Sequence, residues 1–302
     1  MGGRSRPSRG DRSGVSAVLL DPDRSPLPVA APERQRSRGR IHLSVDCADG
    51  HDTRIRDIAE AGPARLRLPR RMRGPCEAVL LNTAGGIACG DTFDVTVEVG
   101  AGADLVLTTT AAEKIYRSDG PVSRLTTCTT LAAGGRLAFL PQETILFDQA
   151  ALERRFSADL APDARLLAFE AVTFGRTARR EPITRGHLTD IWRIRRGGRL
   201  VYADSVRLDG DLSAQLARAA IGGGARAMAT LLDVSPEAEG RLEQARAILD
   251  DVAMAGVTAA ASAWNGHLVV RCLAADPDAL RTLAQRLLTA YRGQPLPRVW
   301  QA

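Results

Sequence analysis

The chain is poor in several things at once, and each shortage removes a class of function. Its five cysteines (Cys47, Cys76, Cys89, Cys128, Cys272) are scattered, odd in number and without a C-x-x-C pair, so neither a disulfide framework nor a structural zinc site is expected. No apolar run reaches the roughly 20 residues that span a bilayer. The opening "MGGRSRPSRGDRSG" has no apolar stretch that would read as a secretion signal, so a cytoplasmic protein with reduced thiols and no membrane partner is expected. Lysine occurs once, as Lys114, among 41 basic residues, which reads as coding bias rather than recognition chemistry.

The net charge of +6 is unevenly spread. Residues 1–40 hold nine Arg against four Asp or Glu, and from Ile41 onward the chain is nearly neutral. A nucleic-acid binder acting through that arginine-rich tail would lose affinity steeply with salt and with deletion of residues 1–40, and no nucleic-acid partner is expected. Rich in Arg, Ser, Pro and Gly, these residues cannot bury enough apolar surface to offset their ordering entropy, and they are expected to form a disordered basic tail. Such a tail is either merely solvated or a docking arm for an acidic partner.

Complete catalytic motifs are missing too. "NTAGGIACGD" has glycines at 85, 86 and 90 but lacks the G-K-[ST] ending of a phosphate loop, and it precedes a strand where a phosphate loop would open a helix. Its glycines are better read as turning the backbone, with Asp91 fixing the strand entry through local hydrogen bonds. His42, Cys47 and His51 are irregularly spaced for either helix or strand and suggest no stable metal site. Four histidines (His42, His51, His187, His267) with no nucleophile elbow nominate no triad.

What is present is the grammar of strands. Phe93, Val95, Val97 and Val99 alternate with Asp94, Thr96 and Glu98, the period of a half-buried strand. The turns "GAGADL", "AAGGRL" and "APDARL", each between two strand-like runs, begin at Gly100, Ala132 and Ala161, spacings of 32 and 29 residues. Repeats of about 30 residues stack to bury a core that no single unit could bury alone. The fold class expected is therefore mainly β: a stacked, superhelical β-sheet body over 41–212, with a small C-terminal α+β part of two helices over 213–302.

In that part, "SPEAEGRLEQARAILDD" predicts a helix with Ser235 as N-cap, Pro236 at its first position and Leu242, Ala245, Ile248 and Leu249 on one face. Asn265-Gly266 predicts a tight hairpin. Asp276-Pro277 opens a last helix with Leu280, Leu283, Leu287 and Leu288 as its apolar stripe and Gly293 as its stop, packed back on the hairpin. Gly222–Gly224 reads as a hinge or a strand-entry loop.

Three carboxylates stand out on strand-like segments: Glu143 and Asp148 in "LPQETILFD", and Glu170 one repeat on. Two of them could serve as acid and base of a carbohydrate-active enzyme on a repeated β scaffold. They could equally line a polar cavity that passes a divalent cation, or be ordinary structural carboxylates. Lys114 and Arg117 flank Tyr116, their stems over an apolar ring and their charges available to a partner. Trp192, Trp264 and Trp300 read as core or edge packing rather than a stacking platform for bases.

The ordered blocks "LLNTAGGIACGD", "TTAAEKIYRS", "LPQETILFDQALERR", "FEAVTFGRTA", "DSVRLDG" and "LPRVW" resemble the urease accessory protein UreD (UreH) family over most of Ala78 to Trp300. Two departures are visible: Cys89 replaces a glycine, and "GRTARRE" carries Arg180 where the family has glycine before Glu181, which touches backbone geometry or a partner contact there. The resemblance implies a non-enzymatic scaffold with an all-β stacked body. It would bind urease apoprotein on one side and the UreF and GTPase UreG partners on the other, helping nickel reach a carbamylated-lysine di-nickel centre. On that reading no cofactor is held tightly and nickel passes transiently, with Asp91, Glu143, Asp148 and Glu170 as oxygen ligands along its route. Lys114, Tyr116, Arg117 and Arg180 would be partner contacts.

Overall fold

The computed structural model describes residues 2–3, 36–48, 52–69, 75–176 and 179–301. Most of the expected basic tail, and His51, lie outside the described residues. Arg36–Ala302 form one unit, and its first strand starts at Arg38, a little before the end expected for the tail.

Four strands come first: β1 (Arg38–Ala48), β2 (Asp52–Ala61), β3 (Ala64–Arg67) and β4 (Cys76–Asn82). The chain then runs through three coils of one pattern. Each lays a strand into a first sheet, turns a four-residue corner and lays a strand into a second sheet. The first coil is β5 (Thr92–Val99) and β6 (Asp104–Thr109), followed by a short rung, β7 (Glu113–Ile115). The second is β8 (Ser123–Leu131), β9 (Arg136–Leu140) and the rung β10 (Thr144–Leu146). The third is β11 (Ala151–Leu160) and β12 (Arg165–Phe174), whose last three residues supply the rung.

The repeat read from the turns is the register of the sheets. Thr92 pairs with Arg124, an offset of 32, and Ser123 with Leu152, an offset of 29. In the second sheet Asp104, Arg136 and Arg165 stand side by side at the same two offsets. Parallel neighbours need a crossover between them, and here each corner and return supplies it.

After the coils come β13 (Arg185–Arg196), β14 (Arg199–Asp211), a six-residue helix α1 (Leu212–Ala217), β15 (Ala227–Val234), α2 (Leu242–Asp251), the hairpin β16 (Val257–Trp264) and β17 (His267–Ala274), and α3 (Pro277–Arg292). Among the described residues the first sheet has the order β14-β13-β11-β8-β5-β1-β2 and the second β16-β17-β15-β12-β9-β6-β4-β3. The C-terminal strands thus extend the second sheet in antiparallel fashion. A third helix, α1, adds to the two expected; Asp211 caps it by accepting from the Ala214 N–H.

One core lies between the sheets, and a second lies between the outer face of the second sheet and α2 and α3. This explains two different strand patterns. In β5, Phe93, Val97 and Val99 are buried and Asp94, Thr96 and Glu98 face water. In β12, covered on both faces, burial is nearly continuous from Leu166 to Phe174.

The hairpin and last helix form as expected. Asn265 and Gly266 both take positive φ, 52° and 80°. Asp276 accepts from the Asp278 N–H, Pro277 opens α3, and Gly293 ends it in the left-handed region. The helix expected at Ser235 starts later, at Leu242 after a 3-10 turn over Glu239–Arg241, and its N-cap Arg241 makes no side-chain cap bond. Ser235 is buried at the end of β15 and its carbonyl accepts from the Ala238 N–H, so the residues after it form turns. Gly223 and Gly224, at φ 56° and 90°, lie in the turn before β15, a strand-entry loop.

Candidate functional site

The glycine loop after β4 and the rungs form a ladder of their own. Ile87 bridges Ile115, Ile115 pairs with Leu146, and Leu146 with Phe174, all four buried. The Ile87 N–H donates to the Lys114 carbonyl at 2.7 Å and the Tyr116 N–H to the Ile87 carbonyl at 2.8 Å. Gly86 is required by closeness: a Cβ there would stand 2.4 Å from the Tyr116 ring. The Tyr116 hydroxyl donates to the Gly85 carbonyl at 3.1 Å. Its ring meets Phe147 edge-on at 5.0 Å, and the Arg176 guanidinium lies 4.4 Å over Phe147 while pairing with Glu181. Four of the sequence blocks therefore meet at one place.

Behind this ladder, between the sheets, lies a cavity of about 340 Å³ whose polar lining includes Asn82, Glu113, Gln142, Thr144, Arg154 and Glu170. Its charged wall is built by strand register. Arg154 and Asp190 are direct neighbours on β11 and β13, and Arg154 grips Asp190 with two bonds, Nε to Oδ1 at 3.2 Å and Nη2 to Oδ2 at 2.5 Å. From the second sheet, Glu170 Oε2 approaches the same Nη2 at 3.2 Å, and this buried oxygen has no well-directed hydrogen bond. Burial pushes the Glu170 carboxyl well above the usual carboxylate range, against the pull of Arg154 and with a further push from Asp190. Burial likewise raises Glu113 to about 7, although the Asn82 side chain donates to it at 3.2 Å.

A second cavity, of about 250 Å³, opens between the outer face of the second sheet and α3. Phe169, Leu280 and Trp300 line it, and Lys114, Arg176, Arg179 and Arg281 bring positive charge to it. Glu143 is held there by Arg281 Nη1 at 2.8 Å, while Arg281 Nη2 donates to the neighbouring Gln142 at 3.1 Å. Lys114 borders both cavities. The rungs β7 and β10 form the partition.

The structure disperses the four carboxylates singled out in the sequence. Asp91 is buried and spends both oxygens on backbone, accepting from the Ser37 N–H at 2.7 Å and the Ala88 N–H at 2.8 Å. Asp148 accepts from the Thr184 N–H and hydroxyl and from the Arg185 N–H. Partial burial would raise its pKa, but these bonds together hold it below the ordinary value. Glu143 and Glu170 line different cavities. The carboxylates thus do not flank one cleft, and the paired-carboxylate hydrolase loses its geometry. Among the described residues no cluster of three or more His, Cys, Asp or Glu could hold a metal ion.

Lys114, Tyr116, Arg117 and Arg180 are all exposed. Arg180 has φ 53°, the left-handed conformation that favours glycine. Cys89 is buried, its thiol directed at the Asp119 carboxylate, and it sits outside the positive-φ set, so no glycine is required there. Trp192 and Trp300 are core residues, and Trp264 sits on edge strand β16 with 52 % of its surface exposed. No helix among the described residues is long and apolar enough to cross a membrane.

Sequence reasoning missed Glu113, Arg154 and Asp190. The signal was present as parity: in "LERRFSADL" the inward set Leu152, Phe156, Ala158, Leu160 includes Arg154, and in "LTDIWRI" the set Leu188, Trp192, Ile194 includes Asp190. A charge on the buried parity of two strands that pair is the mark of an internal polar site.

The family model described as UreD urease accessory protein matches residues 37–301. A urease accessory protein UreD 1 from Methylobacterium radiotolerans is 64% identical over 276 residues, covering 90% of this chain and 95% of that relative. The urease accessory protein UreD of Azorhizobium caulinodans is 53% identical, covering 90% of this chain and 99% of its own. That of Rhizobium leguminosarum bv. viciae is 45% identical, with 90% and 98% covered.

Proposed function

Because the chain belongs to the UreD urease accessory protein family, we propose that it acts as a scaffold in the cytoplasm, supporting nickel insertion into urease. It is an accessory protein and not an enzyme. In this reading it binds urease apoprotein on one side and the UreF and GTPase UreG partners on the other. Nickel, as cargo, passes through the cavity between the sheets.

The observation that carries the passage reading is the pair of carboxyls, Glu170 buried and Glu113 half-buried, facing one cavity behind the ladder where the sequence blocks meet. A route must bind a divalent ion well enough to admit it and weakly enough to release it. Carboxyls that burial keeps partly protonated, one of them beside a resident guanidinium, offer oxygen donors for which the cation must compete with a proton and with Arg154. Glu143, tied to Arg281 in the outer cavity, is a further ligand next to the partition. Asp91 and Asp148 serve the route by holding its turns. Lys114, Tyr116, Arg117 and Arg180 supply exposed contacts for a protein partner on the same side as the ladder.

The test is gel filtration of the chain with urease apoprotein, with and without the UreF and UreG partners, followed by urease activation with Glu113→Gln, Glu170→Gln and Glu143→Gln. Stable co-elution with normal assembly and an activation loss of at least tenfold in the Glu113 or Glu170 variant is expected. Absence of co-elution in every combination ends the scaffold reading. Normal activation by all three variants ends the passage reading while leaving the scaffold in place.

A further inference from the structure

Four strands end the two sheets among the described residues: β14 and β2 in the first, β3 and β16 in the second. A sheet edge presents unpaired N–H and C=O groups, and stable proteins blunt it with charge, bulges or shortness. Three of the four follow that rule. β14 carries Arg199, Asp204, Arg207, Asp209 and Asp211, and its pairing with β13 is broken by a bulge. β2 is similarly charged and its pairing with β1 is bulged, while β3 is four residues long with two arginines.

β16 does the opposite. Its eight residues, "VTAAASAW", hold no charge and no proline, and its register with β17 runs unbroken from Trp264↔His267 to Val257↔Ala274. We infer that β16 is an interface through which two copies of this chain pair, edge to edge and antiparallel, into one continuous sheet.

The register follows from the hairpin. A two-residue turn makes Trp264 and His267 a hydrogen-bonded pair, so Trp264, Ser262, Ala260 and Thr258 direct their backbone groups at β17. Ala259, Ala261 and Ala263 then direct theirs outward. A two-fold axis through Ala261 lets Ala261 bond its own mate and Ala259 bond Ala263 of the second copy, using the outward groups of these three residues. In the same register Trp264 stands opposite Thr258 of the second copy, and Ala260 opposite Ser262.

Side-chain size fits this mate. Thr258, Ala260, Ser262 and Trp264 are the exposed face of the strand, three small residues and one large. Antiparallel self-pairing sets the large residue against a small one at both ends and places no like charges together. It also covers the 52 % exposed indole of Trp264, which already lies edge-on against the buried His267 ring at 4.3 Å. The other face of β16, Ala261 foremost, packs in the core formed with the helices.

The experiment is sedimentation equilibrium of the full chain, wild type against Ser262→Lys, with circular dichroism confirming that both fold. Wild type should sediment at twice the chain mass, and Ser262→Lys should weaken dimerisation at least tenfold. Independently, Ala260→Cys chains mixed with Ser262→Cys chains should give a covalent dimer on mild oxidation beyond that seen with wild type or with either variant alone. A wild-type monomer at all concentrations, or a dimer that Ser262→Lys leaves intact and the mixed cysteines do not trap, overturns the proposal. Pairing of β16 with a different protein, or with residues 1–35 of its own chain, would appear as one of these outcomes.

Discussion

On its outer face the second sheet meets α2 and α3 through Phe169, Leu283, Leu287 and Trp300, whereas on its inner face it meets the first sheet across Arg154, Glu170 and a cavity of about 340 Å³. The outer core contains a buried carboxylate, Asp233, that is well paired. Asp233 accepts from the Tyr291 hydroxyl at 2.7 Å and from Arg241 at 2.9 Å, and the Arg241 guanidinium also lies 3.8 Å over the Tyr291 ring. Trp300 donates its indole N–H to Thr108 and to the Leu140 carbonyl, both at 3.1 Å. The inner core leaves Glu170 Oε2 without a directed bond and two carboxyls reluctant to ionise. Both faces border a cavity, but the inner one retains this buried carboxylate oxygen without a directed bond and these two carboxyls that resist ionisation, as expected of a face that does something besides fold.

The comparison is tested most severely by deletion on each side. Arg154→Ala removes the cation between Asp190 and Glu170 and should cost about 3–5 kcal/mol in denaturant unfolding. Replacing all three, as Arg154→Met with Glu170→Leu and Asp190→Leu, should recover that stability to within about 1 kcal/mol, because no charge is left stranded. The same triple variant should fail to activate urease if the passage reading holds. In the outer core, Trp300→Ala should also cost about 3–5 kcal/mol, here by opening a cavity, and no partner substitution of the kind used for the triad should restore it. A triple variant as unstable as Arg154→Ala would mean that the triad is structural and the contrast between the faces is wrong.

A smaller effect is pH-dependent. Glu113 is raised to about 7 in the folded protein from an ordinary 4.5, so the native state binds its proton more tightly than the unfolded chain does. Its contribution is complete below pH 4.5 and is lost as pH rises through 7, a change of about 3 kcal/mol at most. Stability measured from pH 5 to 8 should therefore carry a downward component that Glu113→Gln abolishes. An identical slope in the variant would place the titration elsewhere. The smallest effect expected is a gain: Arg180→Gly should stabilise by about 1 kcal/mol, because glycine adopts φ 53° without the penalty a Cβ incurs. Unchanged stability would show that the arginine earns its place through contacts.

The repeat was legible because it is local in kind: the same corner recurs at spacings of 32 and 29, and parallel pairing converts those spacings directly into register. The hairpin and α3 were legible for a similar reason, since Asn265-Gly266, Asp276-Pro277 and Gly293 each act within a few residues. The late start of α2 was not, because the turns after Ser235 took the residues that a cap at that position would have placed in the helix.

The candidate site was only half legible. Glu143 and Glu170 were singled out, but that they face different cavities depends on which side of the second sheet each side chain leaves, and on the α3 helix that closes one side. Asp91 and Asp148 looked equally available, and only the fold brings the Ser37 N–H to one and the Thr184 N–H to the other, across 54 and 36 residues. Sequence by itself determined the strands, the period of the coils, the corners and the family, since all of these follow from backbone preference and short-range pattern. Tertiary structure alone decided which charges are buried together, because burial and partnership are properties of the space between two sheets and no single segment contains that space.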